Sequence, residues 1–194
     1  DFYEMFGDDA IEGSRLLNLT LTKRQTTPMC GVPYHAAAGY IGRLTRLGKE
    51  VALCAQLTDP SLPGIVERDV VRVVTPGTTF DERILDHSIN HYVVSVSFGR
   101  QEKIGLAACD ITTGLLHVFE IADEAGLKEE LSRLSPVECI IDAGEKNVPD
   151  CLKNFQKLPL FPHQFLDQPD EFLHAFYGVK NLGSFDIGDC PAVI

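Results

Sequence analysis

Apolar and polar positions alternate from the first residue: Phe2, Glu4 and Phe6 fall on one side of an extended chain, Tyr3 and Met5 on the other. The pattern predicts a strand, and a strand that buried Phe2 and Phe6 would have to bury Glu4 between them, at a cost of several kcal/mol unless the carboxylate is paired or protonated. Either this strand lies at an edge with Glu4 in solvent, or the Phe-x-Glu pair has a task. Asp9-x-x-Glu12 reads as a capping box opening a helix to about Leu17, and Leu17–Thr22 alternates like a strand. Lys23–Val32, with Pro28 and Gly31, reads as a loop. From Pro33 the stripe Ala37, Tyr40, Ile41, Leu44, Leu47 predicts a helix stopped by Gly48. Val51–Leu57 is predicted as a buried strand, residues 59–64 as a turn-rich loop, and Val70–Thr75 as a strand ended by Pro76-Gly77.

Residues 79–91 are polar and mixed in charge, and the boundary between two units is expected there. Beyond it, Tyr92–Phe98, Lys103–Ile111 and Leu115–Ile121, joined by short glycine-bearing connections, predict an antiparallel meander. Asp123–Leu134 is predicted as an amphipathic helix, Cys139–Asp142 as a short buried strand, Pro149–Pro169 as loop-rich, Asp170–Tyr177 as helix and Val179–Leu182 as a short strand. Strands alternating with helices make the fold class α/β.

The 194 residues carry 17 basic and 28 acidic side chains, a net charge of −11, which taken alone argues against nucleic-acid binding. The distribution changes that picture. Residues 13–49 hold Arg15, Lys23, Arg24, Arg43, Arg46 and Lys49 and no acid, whereas residues 87–194 hold 8 basic and 16 acidic side chains. The acid-free run is either a place to meet phosphates or the solvated faces of two helices. No apolar run approaches the roughly 20 residues of a membrane helix. The six cysteines never fall into Cys-x-x-Cys and most lie in apolar runs, as expected of reduced thiols in a cytoplasmic protein. His87 and His91 could share a helix face but have no third metal ligand in view. Because the chain starts on Asp1 and stops in the apolar Pro191–Ile194, it is expected to be a piece of a longer protein.

Four stretches, in order, carry a resemblance: residues 1–10 (DFYEMFGDDA), 19–24 (LTLTKR), 28–35 (PMCGVPYH) and 66–78 (VERDVVRVVTPGT). Together they resemble the amino-terminal part of the MutS family of DNA mismatch repair proteins. The resemblance implies two α/β domains: a small mixed α/β mismatch-recognition domain over residues 1–85 and an RNase H-like connector domain over 88–194. It departs from the family pattern in lacking the segment before the Phe-x-Glu strand and in having a shorter loop after Arg24.

The resemblance further implies that Phe2 stacks at a mispaired or unpaired base from the minor groove. An apolar wedge costs a few kcal/mol of unstacking, less where pairing is already impaired. Glu4 is implied to hydrogen-bond the displaced base; near phosphates a carboxylate needs a proton or a donor. Lys23, Arg24 and Met29 match a segment that approaches DNA, which implies phosphate contacts for the two cations and a minor-groove contact for Met29, and Arg72 is a weaker phosphate candidate; core packing for Met29 and a solvated strand face for Arg72 compete with those roles. Tyr34 and His35 match the family too and are explained equally by packing ahead of a helix. The implied partners are double-stranded DNA with mismatches or small unpaired loops, a second copy in a homodimer and a downstream repair protein at the connector. The implied location is cytoplasmic, at the nucleoid. ATP and magnesium belong to a carboxy-terminal P-loop domain of the family; the nearest imitation here, Gly42–Glu50, has the wrong spacing and lies in a predicted helix. A nuclease would need converging carboxylates, and Tyr92–Phe98 has none. No catalytic residue or metal ligand is therefore assigned. The competing reading is a non-catalytic interaction fragment with no DNA affinity of its own.

Overall fold

The computed structural model describes residues 2–58, 64–79, 90–98, 103–145, 148–155 and 158–185. The chain divides into two compact units, Asp1–Asp86 and His87–Ile194. Both are α/β.

In the first unit, β1 (Phe2–Phe6) runs straight into helix α1 (Gly7–Leu17). The turn is made at Gly7, whose φ of 61° suits glycine. The helix thus starts two residues before the predicted capping box, and its first residue has no side-chain cap. Asp8 and Asp9 lie instead in the first turn, where the helix dipole favours them. The strand predicted over Leu17–Thr22 does not form: the helix continues through Leu17, Asn18 closes it in the left-handed conformation, and the Leu19 N–H donates to the Ser14 carbonyl at 2.9 Å.

The predicted loop over Lys23–Val32 is a hairpin, β2 (Thr22–Arg24) and β3 (Thr27–Pro33), closed by Gln25-Thr26 with Gln25 at φ 57°. The sheet order is β1-β3-β2, all antiparallel. Pro28 is tolerated in the middle strand because β1 ends opposite Met29, so no ladder bond to β1 is forfeited there.

A 3-10 turn (Tyr34–Ala36) leads into α2 (Ala37–Arg46), which buries Ala37 and Leu44 and leaves Leu47 exposed past its end. Strands β4 (Val51–Gln56) and β5 (Arg68–Val74) form a separate antiparallel pair with a register shift after Leu53. β4 is not the buried strand expected: Ala52 and Cys54 are exposed, because a two-stranded ribbon cannot cover both of its faces. At the end of β5 a 3-10 turn (Pro76–Thr78) is capped by Thr75, whose backbone and side chain both bond Thr78.

The second unit is built on one five-stranded sheet, order β10-β9-β6-β7-β8. The meander is β6 (Tyr92–Phe98), β7 (Ile104–Asp110) and β8 (Leu115–Ile121), as predicted. Helix α3 (Glu124–Leu134) is capped by Asp123, which accepts from the Gly126 N–H at 2.8 Å, and it buries Leu127, Leu131 and Leu134. β9 (Glu138–Asp142) then lies parallel to β6. Inside the predicted loop-rich stretch are a short helix α4 (Asp150–Lys153) and β10 (Leu160–His163), parallel to β9. Helix α5 (Pro169–Tyr177) ends at Gly178 in the left-handed conformation. The strand predicted over Val179–Leu182 is absent: Asn181 Oδ1 accepts from the Gly183 N–H at 2.7 Å and the chain enters a 3-10 turn (Leu182–Phe185). Val94, Val96, Leu106, Leu127, Leu131 and Cys139 centre the core.

Candidate nucleic-acid interface

Strand register decides which of the singled-out residues share a surface. Across the first sheet, Phe2 pairs with Pro33, Glu4 with Gly31 and Phe6 with Met29; on the other side of β3, Thr22 pairs with Met29 and Arg24 with Thr27. Directly opposed residues point to the same face. One face therefore carries Phe2, Glu4, Phe6, Met29 and Arg24. The other carries Tyr3, Met5, Cys30 and Val32 and packs under α1, where Cys30 is fully buried.

Phe2 is 66% exposed, so Glu4 does not sit in an apolar core. The burial problem posed by the alternation is solved by turning the whole Phe-x-Glu face outward. Glu4 instead finds a partner two strands away: Arg24 Nη1 donates to Glu4 Oε2 at 3.1 Å. Gly31 lies opposite Glu4 in the intervening strand; a side-chain carbon there would meet Glu4 Cγ and Phe2 Cδ1 at 3.8 Å and the Tyr3 carbonyl at 3.2 Å. The bare backbone of Gly31 is thus the floor over which both side chains lean.

The structure separates the remaining candidates. Met29 is half-buried on the Phe2 face. Lys23 pairs with Pro28 and points to the opposite face from Arg24. Arg72 lies on β5 opposite Leu53, exposed, in the other sheet of the unit. Tyr34 is 62% exposed and stacks on Tyr3 with ring centroids 5.4 Å apart, which ties the turn before α2 to β1. Within the acid-free run the cations are not all free. Lys49 pairs with Glu12 at 2.7 Å, and that hydrogen bond, with the charges of Lys49 and Arg15, holds the Glu12 carboxyl below its ordinary range despite a small opposing effect of burial. Arg43 lies over the Tyr40 ring at 5.8 Å.

Sequence reasoning missed one element of the site. A largely apolar cleft of about 340 Å³ opens beside β1, between it, α2 and β4, lined by Phe2, Phe6, Ile41, Leu44, Leu53 and the cation Arg68 among others. Arg68 opens β5, and no local motif distinguishes it. Chemically, this face offers an exposed aromatic ring, a hydrogen-bonding carboxylate, a guanidinium and a thioether on a three-stranded sheet.

In the second unit, Asp110 and Asp142 lie on different strands and do not converge as two-metal chemistry would require. Asp110 is opposite Tyr92 at the start of β6, while Asp142 follows Ile141, the partner of Val96, at the other end. Each is occupied locally. Asp110 accepts from the Thr112 N–H, both threonine hydroxyls of Thr112 and Thr113, and the His91 N–H. Burial works to raise its pKa, but these donors outweigh it and hold the carboxyl below its ordinary range. Asp142 Oδ1 accepts from the Gly144 N–H at 3.2 Å. His91 leads into β6 rather than lying on a helix, and His87 falls outside the described residues. Gly42, the start of the P-loop imitation, is buried inside α2.

Comparison with known proteins agrees along the whole chain. The family model described as MutS domain I matches residues 1–83, and that described as MutS domain II matches residues 91–194. DNA mismatch repair protein MutS of Treponema denticola is 40% identical over all of this chain and 24% of its own length. The Myxococcus xanthus protein of the same name is 37% identical over 98% of the chain and 23% of its own length. That of Staphylococcus epidermidis is 47% identical over 73% of the chain and 17% of its own length. The chain thus spans about a quarter or less of these relatives. No helix among the described residues is long and apolar enough to cross a membrane.

Proposed function

The chain belongs to the MutS family of DNA mismatch repair proteins, and we propose that its first unit senses mispaired or unpaired bases in duplex DNA through Phe2 and Glu4. The observation that carries this reading is the exposure of Phe2 on an edge strand with Glu4 beside it on the same outward face. An apolar ring that leaves most of its area in water adds little to the core. It suits a minor-groove wedge whose penalty depends on how easily the base step opens. Discrimination then comes from the deformability of the damaged step rather than from base sequence. Arg24 and Met29 flank the wedge; Lys23 and Arg72, on other surfaces of the unit, are phosphate contacts at most.

The second unit is read as a non-catalytic connector. Its net charge is negative, Asp110 and Asp142 are spent on turns at opposite ends of the sheet, and its role is to link the sensor to the rest of the protein and to partner proteins. ATP hydrolysis, dimerisation and recruitment of a downstream repair protein belong, on this reading, to the whole protein.

The test is a titration of full-length protein on a duplex with one unpaired base and on its matched counterpart at stated salt, with and without Phe2→Ala. Loss of the mismatch preference in the variant is expected. An unchanged preference would remove Phe2 from the site and favour the reading of this chain as an interaction fragment.

A further inference from the structure

We infer that Arg24 is the positioning residue of the sensor: it holds and neutralises the Glu4 carboxylate, and so allows an acid to be carried up to a polyanion. The inference rests on the reading of Phe2 and Glu4 given above and assigns Arg24 a role that a phosphate contact alone does not include.

The geometry is specific. Glu4 and Arg24 stand on the two outer strands of the β1-β3-β2 sheet and meet across the middle strand, with Nη1 and Oε2 3.1 Å apart. Within the sheet the side chains that share this face with Glu4 include Phe2 and Phe6 on its own strand, Met29 on β3 and Arg24 on β2, with Gly31 contributing none; Arg68, on β5, lines the cleft that Phe2 and Glu4 also line. Among the described residues, Arg24 is the one cation that the register puts on this face of the three-stranded sheet, while its chain neighbour Lys23 points the other way.

Electrostatics gives the arrangement a purpose. A lone carboxylate brought to the minor groove meets phosphates on both sides, and repulsion grows as water is squeezed out. With a guanidinium in contact, the pair approaches as a near-neutral unit, and the charge-assisted Nη1–Oε2 hydrogen bond holds the carboxylate toward β2. In the free protein both partners are substantially exposed, at 66% and 37% for their side chains, so the ion pair adds little to folding stability. Its selective value lies in binding, and removing it leaves the fold intact.

The mechanism predicts non-additivity, which a phosphate contact does not. Four full-length proteins are compared on mismatched and matched duplexes across a salt series: unchanged, Arg24→Met, Glu4→Gln and the double variant. Arg24→Met is expected to weaken mismatch binding about tenfold where Glu4 is present and less than about threefold where it is Gln, because the uncharged amide no longer needs shielding. Arg24→Lys keeps the positive charge and is expected to restore most of the affinity lost in Arg24→Met where Glu4 is present. Lys23→Met, which removes the same charge from the opposite face, is the control and should lose equal affinity in both backgrounds. Equal losses from Arg24→Met in both backgrounds, with the salt slope reduced by about one, would make Arg24 an ordinary phosphate ligand and overturn the inference. No loss in either background would overturn it as well. Phe2→Ala separates the two levels: if it keeps mismatch preference, the sensor reading itself falls; if it abolishes preference while the cycle is additive, only the role of Arg24 falls.

Discussion

Gly31 faces Glu4 in the β1–β3 ladder, and a methyl group on it would touch Glu4 Cγ and the Phe2 ring edge at 3.8 Å while crowding the Tyr3 carbonyl at 3.2 Å. Alanine is nearly accommodated there; the branched carbons of valine are not. Gly31→Val is expected to push Phe2 and Glu4 from their places and to reduce mismatch preference about tenfold or more, at a stability cost of about 1–3 kcal/mol. Parallel binding titrations and thermal melts check this. A variant that melts lower but discriminates normally would show that the glycine serves the sheet and not the site.

Glu4→Gln separates charge from hydrogen bonding. The amide keeps a donor and an acceptor and removes the repulsion from phosphates, so affinity for DNA is expected to hold or rise while the ratio between mismatched and matched duplex falls. Because Glu4 is exposed and loses only a surface ion pair, stability should change by less than about 1 kcal/mol. Competition binding with both duplexes reads the ratio directly; an unchanged ratio would take Glu4 out of discrimination.

Asp110 fastens the β7–β8 turn through Thr112, Thr113 and the His91 backbone. Asp110→Asn leaves some of these donors facing a donor and should destabilise the second unit by about 1–3 kcal/mol. Since the folded carboxyl titrates below its ordinary 3.8, its contribution is complete above that value and disappears as pH falls through the lower folded one. Urea melts at pH 7 and below pH 4 should therefore show a gap between the two proteins that narrows on acidification.

The cysteines should divide by burial. Cys139 is fully buried, and burial, helped by the nearby charge of Glu138, pushes its thiol up to about 12. Roughly one in ten thousand would be thiolate at pH 8 even if reagent could reach it. Cys54 is exposed on β4. Mass spectrometry after brief iodoacetamide treatment should find Cys54 alkylated in the native protein and Cys139 only after unfolding.

The elements that were legible in advance share one property: their pattern is local. Alternation defined β1 and which of its residues share a side, the meander announced itself through three β-rich runs with short turns, and the amphipathic pattern of Asp123–Leu134 marked α3. The hairpin of β2 and β3 was hidden because Pro28 and Gly31 are loop residues by propensity. They are acceptable in a middle strand because β1 ends at Phe6, opposite Met29, and because Phe2 and Glu4 lean over the bare glycine. β10 escaped for a related reason: four residues between loops, one of them Pro162, gain strand character from pairing with β9 and not from their own preferences.

The candidate site divides in the same way. The sequence by itself determined that Phe2, Glu4 and Phe6 share one side of a strand, that residues 13–49 are cationic without an acid, and, through four stretches in order, which family the chain belongs to. Only the tertiary structure decided that this side faces solvent, that Arg24 joins it while Lys23 does not, and that Arg68 lines the cleft beside it. A strand's own side-chain period is fixed by covalent geometry. Its neighbours across the sheet are fixed by register, and a shift of a single residue would have sent Arg24 to the far face and left Glu4 without its partner.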